Sequence, residues 1–345
     1  MSKISTLNIQ KNLVTLGQSL GFKAEMEYSF IRQHAYNPRY DVVWFLNVES
    51  LKIAHLKGID LVEGKWLPLA TFEIEGSTTS SKNQVGNVGN LFISPSQFHF
   101  IVVANKEAAK ENDTYRRGVK IVRTMQELMG NKRIMFLDAT MLPQEPMSET
   151  FIISNFNSTL RKKGSGGETI SLPIADKLSN LLASTYLEIH YDSVSEYFKQ
   201  QFATKKLELK NKQFTVDPET FERKNITSVS HYYYCPKVDI SAGFQLAGGF
   251  IEFLKVISKN LKEDVELYPL LQAIQSPKVH ELYYPLLGIE IETGDSKHAI
   301  GGLVNAGRLH QIGWLIGTNT IAGAVETYQH YLGLKNTYYI PFSTL

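Results

Sequence analysis

The triplet Glu-Ile-Glu stands at two places in this chain, Glu73-Ile74-Glu75 and Glu290-Ile291-Glu292, each inside the same longer order of residues. Upstream, Pro38-Arg39-Tyr40-Asp41-Val42 parallels Pro236-Lys237-Val238-Asp239-Ile240. Downstream, Ser81-Lys82 parallels Ser296-Lys297, and Asn87-Val88-Gly89-Asn90-Leu91 parallels Asn305-Ala306-Gly307-Arg308-Leu309. An internal repeat constrains the fold more than any local propensity, because one supersecondary unit then has to be built twice. Each half presents one Asp, a pair of Glu and a Lys, in that order.

The pattern around the first copy predicts an α/β order. Leu13, Leu16 and Leu20 recur at helical spacing before Gly21, which predicts an opening helix with a glycine stop. Tyr40 to Leu46 is rich in branched and aromatic residues and predicts a strand that carries Asp41. Leu67 to Glu75 predicts the next strand after a turn at Glu63-Gly64-Lys65, and strand alternation puts Glu73 and Glu75 on one face. A helical segment through Asn87 and Leu91, a strand from Phe98 to Ala104, a helix from Tyr115 to Met129 and a strand from Arg133 to Leu137 follow.

The second copy repeats that tail, with strands at Glu290 to Glu292, Trp314 to Gly317 and Tyr338 to Phe342, and helices at Asn305 to Leu309 and Ile321 to Leu332. It differs in carrying a helical insertion from Phe244 to about Ile274 between Asp239 and Glu290. Between the copies a helical region is predicted from Ala175 to Phe202, and Tyr232, Tyr233 and Tyr234 read as a buried strand leading to Asp239 in preference to an aromatic run that stacks on bases. The expected organisation is a first core at 1–145, a partly helical connector with a basic loop at 146–230, and a second core at 231–345.

Composition narrows the partners. Lys and Arg number 36 against 34 Asp and Glu, a net charge of +2, so any polyanion-binding surface has to be a local patch. Arg161, Lys162 and Lys163, beside glycines, form such a candidate loop for a phosphate backbone, or a plain solvated loop. Cys235 is the single cysteine, which excludes an intramolecular disulfide and a cysteine zinc site and fits a reducing, cytoplasmic setting. The amino terminus shows no secretory pattern, and no apolar run reaches the roughly 18–20 residues of a membrane span. Walker and His-Glu-x-x-His motifs are absent.

Three carboxylates on neighbouring strands repel one another unless something offsets their charge. A hard divalent cation does so, since Mg²⁺ prefers carboxylate oxygen and keeps waters, and Mn²⁺ can substitute. Such a cation acidifies a bound water and stabilises charge on a phosphate, while a nearby Lys offsets more of it. The candidate metal ligands are Asp41, Glu73 and Glu75 in the first copy and Asp239, Glu290 and Glu292 in the second; Lys82 and Lys297 are the candidate charge stabilisers. A solvated strand face paired with Lys and Arg would account for the same carboxylates.

An Asp followed by Glu-x-Glu on a strand, then a helix and further αβ elements, resembles the PD-(D/E)xK restriction-endonuclease-like superfamily. The resemblance covers about residues 8 to 140 and, less completely, 230 to 345. The usual third residue of that pattern is Lys; here it is Glu75 and Glu292, as in a minority of the family's restriction enzymes. Glu25 and Glu27 follow the first helix, where an acidic residue completes the metal site in some members.

The internal repeat and the resemblance together imply tandem duplicated restriction-endonuclease-like cores, each a mixed β-sheet flanked by helices. It further implies a Mg²⁺-dependent endonuclease that cuts double-stranded DNA with a metal-activated water, as monomer or homodimer. A non-catalytic DNA-binding module on a decayed nuclease fold and a Holliday-junction resolvase are the alternatives.

Overall fold

A computed structural model of the chain describes residues 5–30, 37–76, 79–104, 114–129, 134–154, 171–194, 209–211, 214–216, 223–225, 237–259, 274, 280–292 and 296–345. Its first helix, α1 (Thr6–Ser19), starts where the Ser5 side chain accepts the backbone N–H of Asn8, and ends before Gly21 at φ 88°. Leu13 and Leu16 face inward from it with no exposure, as their spacing predicts.

Three strands follow in antiparallel order, β1 (Lys23–Tyr28), β2 (Tyr40–Asn47) and β3 (Trp66–Glu75). From β3 the pairing turns parallel, through β4 (Phe98–Val103) to β5 (Ile134–Asp138), with helices α2 (Ser81–Ile93) and α3 (Thr114–Met129) as the crossovers. Parallel strands are covered on both faces and therefore read as continuous apolar runs. All six residues of β4 are buried, as are all five of β5.

Beyond this sheet come β6 (Phe151–Ser154), α4 (Ser171–Ala183), β7 (Glu188–Val194) and a small antiparallel sheet of β8 (Leu209–Asn211), β9 (Phe214–Val216) and β10 (Arg223–Asn225). Then follow β11 (Lys237–Gly248), α5 (Gly249–Lys259), β12 (Glu281–Glu292), α6 (Ser296–Leu309), β13 (Ile312–Gly317), α7 (Ala322–Tyr331) and β14 (Thr337–Pro341). The second large sheet runs β14-β13-β12-β11-β6, with β7 also paired to β11. In it β12, β13 and β14 are parallel and β7 is antiparallel to β11. The chain is thus α/β, with two large mixed sheets flanked by helices.

Two expectations need correction. The helix predicted from Phe244 begins only at Gly249, because Phe244 still belongs to the sheet, stacked on Tyr284 with centroids 4.7 Å apart. Gly248, at φ 68°, makes the turn from strand to helix. The helical region predicted from Ala175 to Phe202 stops at Ala183, and Glu188–Val194 is a strand, because pairing with β11 outweighs local propensity. Tyr232, Tyr233 and Tyr234 lie outside the described residues.

The chain divides into two compact units, each discontinuous in sequence: 1–48, 61–152 and 247–280 in one, 49–60, 153–246 and 281–345 in the other. The first unit therefore includes α5. Phe250 meets Phe22 edge-on at 5.7 Å and Phe98 at 5.1 Å, while Phe253 meets Trp44 at 5.0 Å. The second unit includes 49–60, where the Lys57 carbonyl accepts the Trp314 indole N–H at 2.9 Å. In each half, then, residues between the Asp strand and the Glu strand complete the other unit. No helix among the described residues is long and apolar enough to cross a membrane.

Candidate functional site

In the first unit the acidic residues meet at the carboxyl edge of the parallel strands, where open α/β sheets bind their ligands. Asp41 is the second residue of β2, and Glu73 and Glu75 lie at the end of β3; the two strands are antiparallel, so the start of one lies beside the end of the other. Asp41 Oδ2 accepts the backbone N–H of Ile74 at 2.5 Å, and Oδ1 accepts the side-chain amide of Gln10 at 2.8 Å. That same amide nitrogen lies 3.2 Å from Glu27 Oε1. Gln10 thus links Glu27 to Asp41, whereas Glu25 forms an ion pair with Lys23.

Glu73 is 4% exposed and hydrogen-bonds to Asp41 and Asn90. Its Oε1 is buried with no hydrogen-bond partner. Burial, then the Asp41 charge, pushes the Glu73 carboxyl up to about 9. Asp41 is itself raised, chiefly by burial, with the Ile74 N–H opposing the shift. Two carboxyls so placed share one proton.

Glu75, 1% exposed, is anchored differently. Gln84 donates to its Oε2 at 2.7 Å and Asn87 reaches its Oε1 at 3.4 Å. Burial lifts its carboxyl to about 7 against the lowering effects of Gln84, Asn87 and the Arg117 charge. Lys82 is exposed on α2 and makes no hydrogen bond or ion pair with these carboxylates. Arg117 is the cation whose field reaches Glu75.

The second unit repeats the first pair. Asp239 Oδ2 accepts the backbone N–H of Ile291 at 2.8 Å, and Glu290 hydrogen-bonds to Asp239 and Asn305. Burial, then the Asp239 charge, again pushes a carboxyl, that of Glu290, up to about 9.

Counted from the helix start at Ser81 or Ser296, the asparagine on this first Glu occupies the same place in both, Asn90 and Asn305. The sequence pattern pairs Asn305 with Asn87 instead, about one helical turn away. On the helix count, Gln84 corresponds to Ala299 and Asn87 to Gly302. At Gly302 a Cβ would come within 3.1 Å of Glu290 Cβ, so α6 lies against that residue. Both side chains that donate to Glu75 are therefore absent at the matching places around Glu292.

Glu292 ends β12, half-buried. Lys297 is in the first turn of α6, and its side chain lies outside the described residues, as do Arg161, Lys162 and Lys163 entirely.

The donor set suits a hard cation. Mg²⁺ is commonly held by one or two carboxylates with waters and substrate phosphates completing its shell, and an unpartnered buried oxygen at Glu73 faces that need. The fit is to the Asp–Glu pair: among the described residues no group of three or more His, Cys, Asp or Glu stands close enough to hold an ion. Gln10, Gln84 and Arg117 carry no motif, and only folding brings them to the carboxylates. Compared with known proteins, the chain matches no family model, no curated protein and no solved structure.

Proposed function

We propose that this protein is a Mg²⁺-dependent endonuclease of restriction-enzyme type, which hydrolyses phosphodiester bonds of double-stranded DNA in the cytoplasm. The observation that carries this reading is the Asp–Glu pair at the carboxyl edge of a mixed sheet, built twice with the same backbone hydrogen bond. We take the two units as copies of one nuclease-like core, which gives a single chain two sites for the two strands of a duplex.

Asp41 and Glu73, and likewise Asp239 and Glu290, are the residues that would hold the cation. When bound, the cation supplies positive charge beside the phosphate and acidifies a water. The chain's own contribution is positional. The Ile74 N–H and Gln10 fix both oxygens of Asp41, Asn90 steadies Glu73, and Gln84 with Asn87 fix Glu75. A buried pair that shares a proton must release it when a cation arrives, so metal affinity rises with pH.

The test is plasmid digestion in Mg²⁺ against chelator, with Glu73→Gln, Glu290→Gln and the double variant. Cutting in Mg²⁺ that chelator abolishes and the double variant lacks is the expected result. A double variant that still linearises plasmid removes these residues from the chemistry.

A further inference from the structure

The amide of Gln84 is held by three partners at once. Its nitrogen donates to Glu75 Oε2 at 2.7 Å and to the Thr114 carbonyl at 2.8 Å, which uses both amide protons. Its oxygen accepts the Arg117 Nε–H at 2.7 Å. Flipping the amide would turn its oxygen onto a carboxylate and a carbonyl and its NH₂ onto a guanidinium, so Arg117 and the Thr114 carbonyl together hold Gln84 with its NH₂ toward Glu75. A further Arg117 nitrogen donates to the Thr79 carbonyl, in the turn that follows Glu75.

Gln84 has no exposure, and α3 approaches it at Gly118, where a Cβ would come within 2.9 Å of its Nε2 and 2.1 Å of the Phe136 ring. The guanidinium fork thus ties the first turn of α3 to the turn after β3 and, through one amide, to Glu75.

The second unit is built otherwise. Its residue in the place of Gln84 is Ala299, 1% exposed, which has no side-chain donor. Its second crossover helix, α7, contains neither Lys nor Arg. The Asp–Glu pair is kept there, but the relay is not.

We infer that Arg117 is a positioning residue of the first site: acting through Gln84, it orients Glu75 beside the Asp41–Glu73 pair, and it does so in the first unit alone. This rests on the function proposed above in taking that pair as the cation site. Arg117, not Lys82, is therefore the cation tied to this site, but as a positioning residue rather than the charge stabiliser expected of Lys82, from a different helix and through an intermediate side chain. A guanidinium serves fully and an ammonium only in part, because a single ammonium cannot span Gln84 and the Thr79 carbonyl as a fixed planar fork does.

The experiment measures Mn²⁺ binding, by the loss of free-ion electron paramagnetic resonance signal, in the Glu290→Gln background so that the first site is read. Arg117→Ala is expected to weaken Mn²⁺ binding by about 10- to 100-fold, the range for groups outside the ligands that hold a metal site in shape, which is the part Glu75 takes beside the Asp41–Glu73 pair. Arg117→Lys should fall between wild type and Ala, and millimolar guanidinium should restore binding to Arg117→Ala while leaving Arg117→Lys unchanged. Unchanged Mn²⁺ affinity in Arg117→Ala overturns the inference. So does an equal loss in both variants that guanidinium does not repair, since that marks mere support of the fold. Plasmid cleavage by wild type is scored separately: absence of cutting in Mg²⁺ defeats the proposed function, while the Mn²⁺ series still decides the role of Arg117.

Discussion

Asp41 takes through its side chain the backbone N–H of Ile74, the residue between Glu73 and Glu75, at 2.5 Å. Asp239 does the same to Ile291 at 2.8 Å. The register of β2 on β3 runs as far as Val42 opposite Phe72, and the Asp41 carboxylate serves the next part of β3. An Asp so placed ends the sheet pairing and fixes the acidic pair in one step.

The raised carboxyls give a pH dependence with a definite sign. Glu73 sits at about 9 against an ordinary 4.5, so it stays protonated in the folded chain at neutral pH. Its contribution to stability is full below the ordinary value and is lost as pH rises toward about 9. In chelator, the melting temperature is expected to fall from pH 5 to pH 9. Glu73→Gln should flatten that fall, by on the order of a few kcal/mol. A level wild-type profile across this span would exclude the shared proton.

His310 works in the opposite direction. It is 4% exposed, with Nε2 2.8 Å from Ser241 Oγ, and burial lowers it to about 4. The unfolded chain then binds a proton that the folded chain refuses, so stability is complete above about pH 6.5 and declines as pH falls toward about 4. The decline expected from this one ring is about 3 kcal/mol. Urea titrations of His310→Gln at pH 7 and pH 4.5 check it; a variant as acid-sensitive as wild type assigns the loss elsewhere.

Two helical glycines should respond in opposite ways. At Gly118 a Cβ would meet the buried Phe136 ring at 2.1 Å, so Gly118→Ala is expected to cost about 1–3 kcal/mol. At Gly86, on α2, nothing lies within 4 Å, and Gly86→Ala should stabilise by up to about 1 kcal/mol. Denaturant midpoints that rank the two alike would contradict the close approach of α3.

Phe253 has no exposure and touches Trp44 and Phe100, so Phe253→Ala is expected to cost about 3–5 kcal/mol. A red shift of tryptophan emission should accompany the loss, because Trp44 is wholly buried under that ring. Retained stability with unshifted emission would mean that α5 contributes little to the first unit.

The strands that carry the acids were legible because buried strands write themselves as apolar runs with polar exceptions. Glu73 and Glu75 are such exceptions in β3. The opening helix and α3 were legible from their apolar spacing. What escaped is what acts over distance in sequence: Gln10 on Asp41, Gln84 on Glu75, and Arg117 on Gln84. A lone Gln or Arg on a helix has no pattern to betray its partner. The mistaken pairing of Asn87 with Asn305 has a related cause. Three or four residues along a helix return to nearly the same face, so a motif can slide one turn and still look aligned. Phe244 to Gly248 was misread because a short apolar run has no period of its own.

The exchange of segments between the units has a consequence for biosynthesis. Phe22, Trp44 and Phe98 are made early, yet the rings that cover them, Phe250 and Phe253, are made late. Until translation passes Lys259, the nascent polypeptide holds an aromatic surface awaiting its lid, and a truncated transcript would leave it bare to chaperones or aggregation.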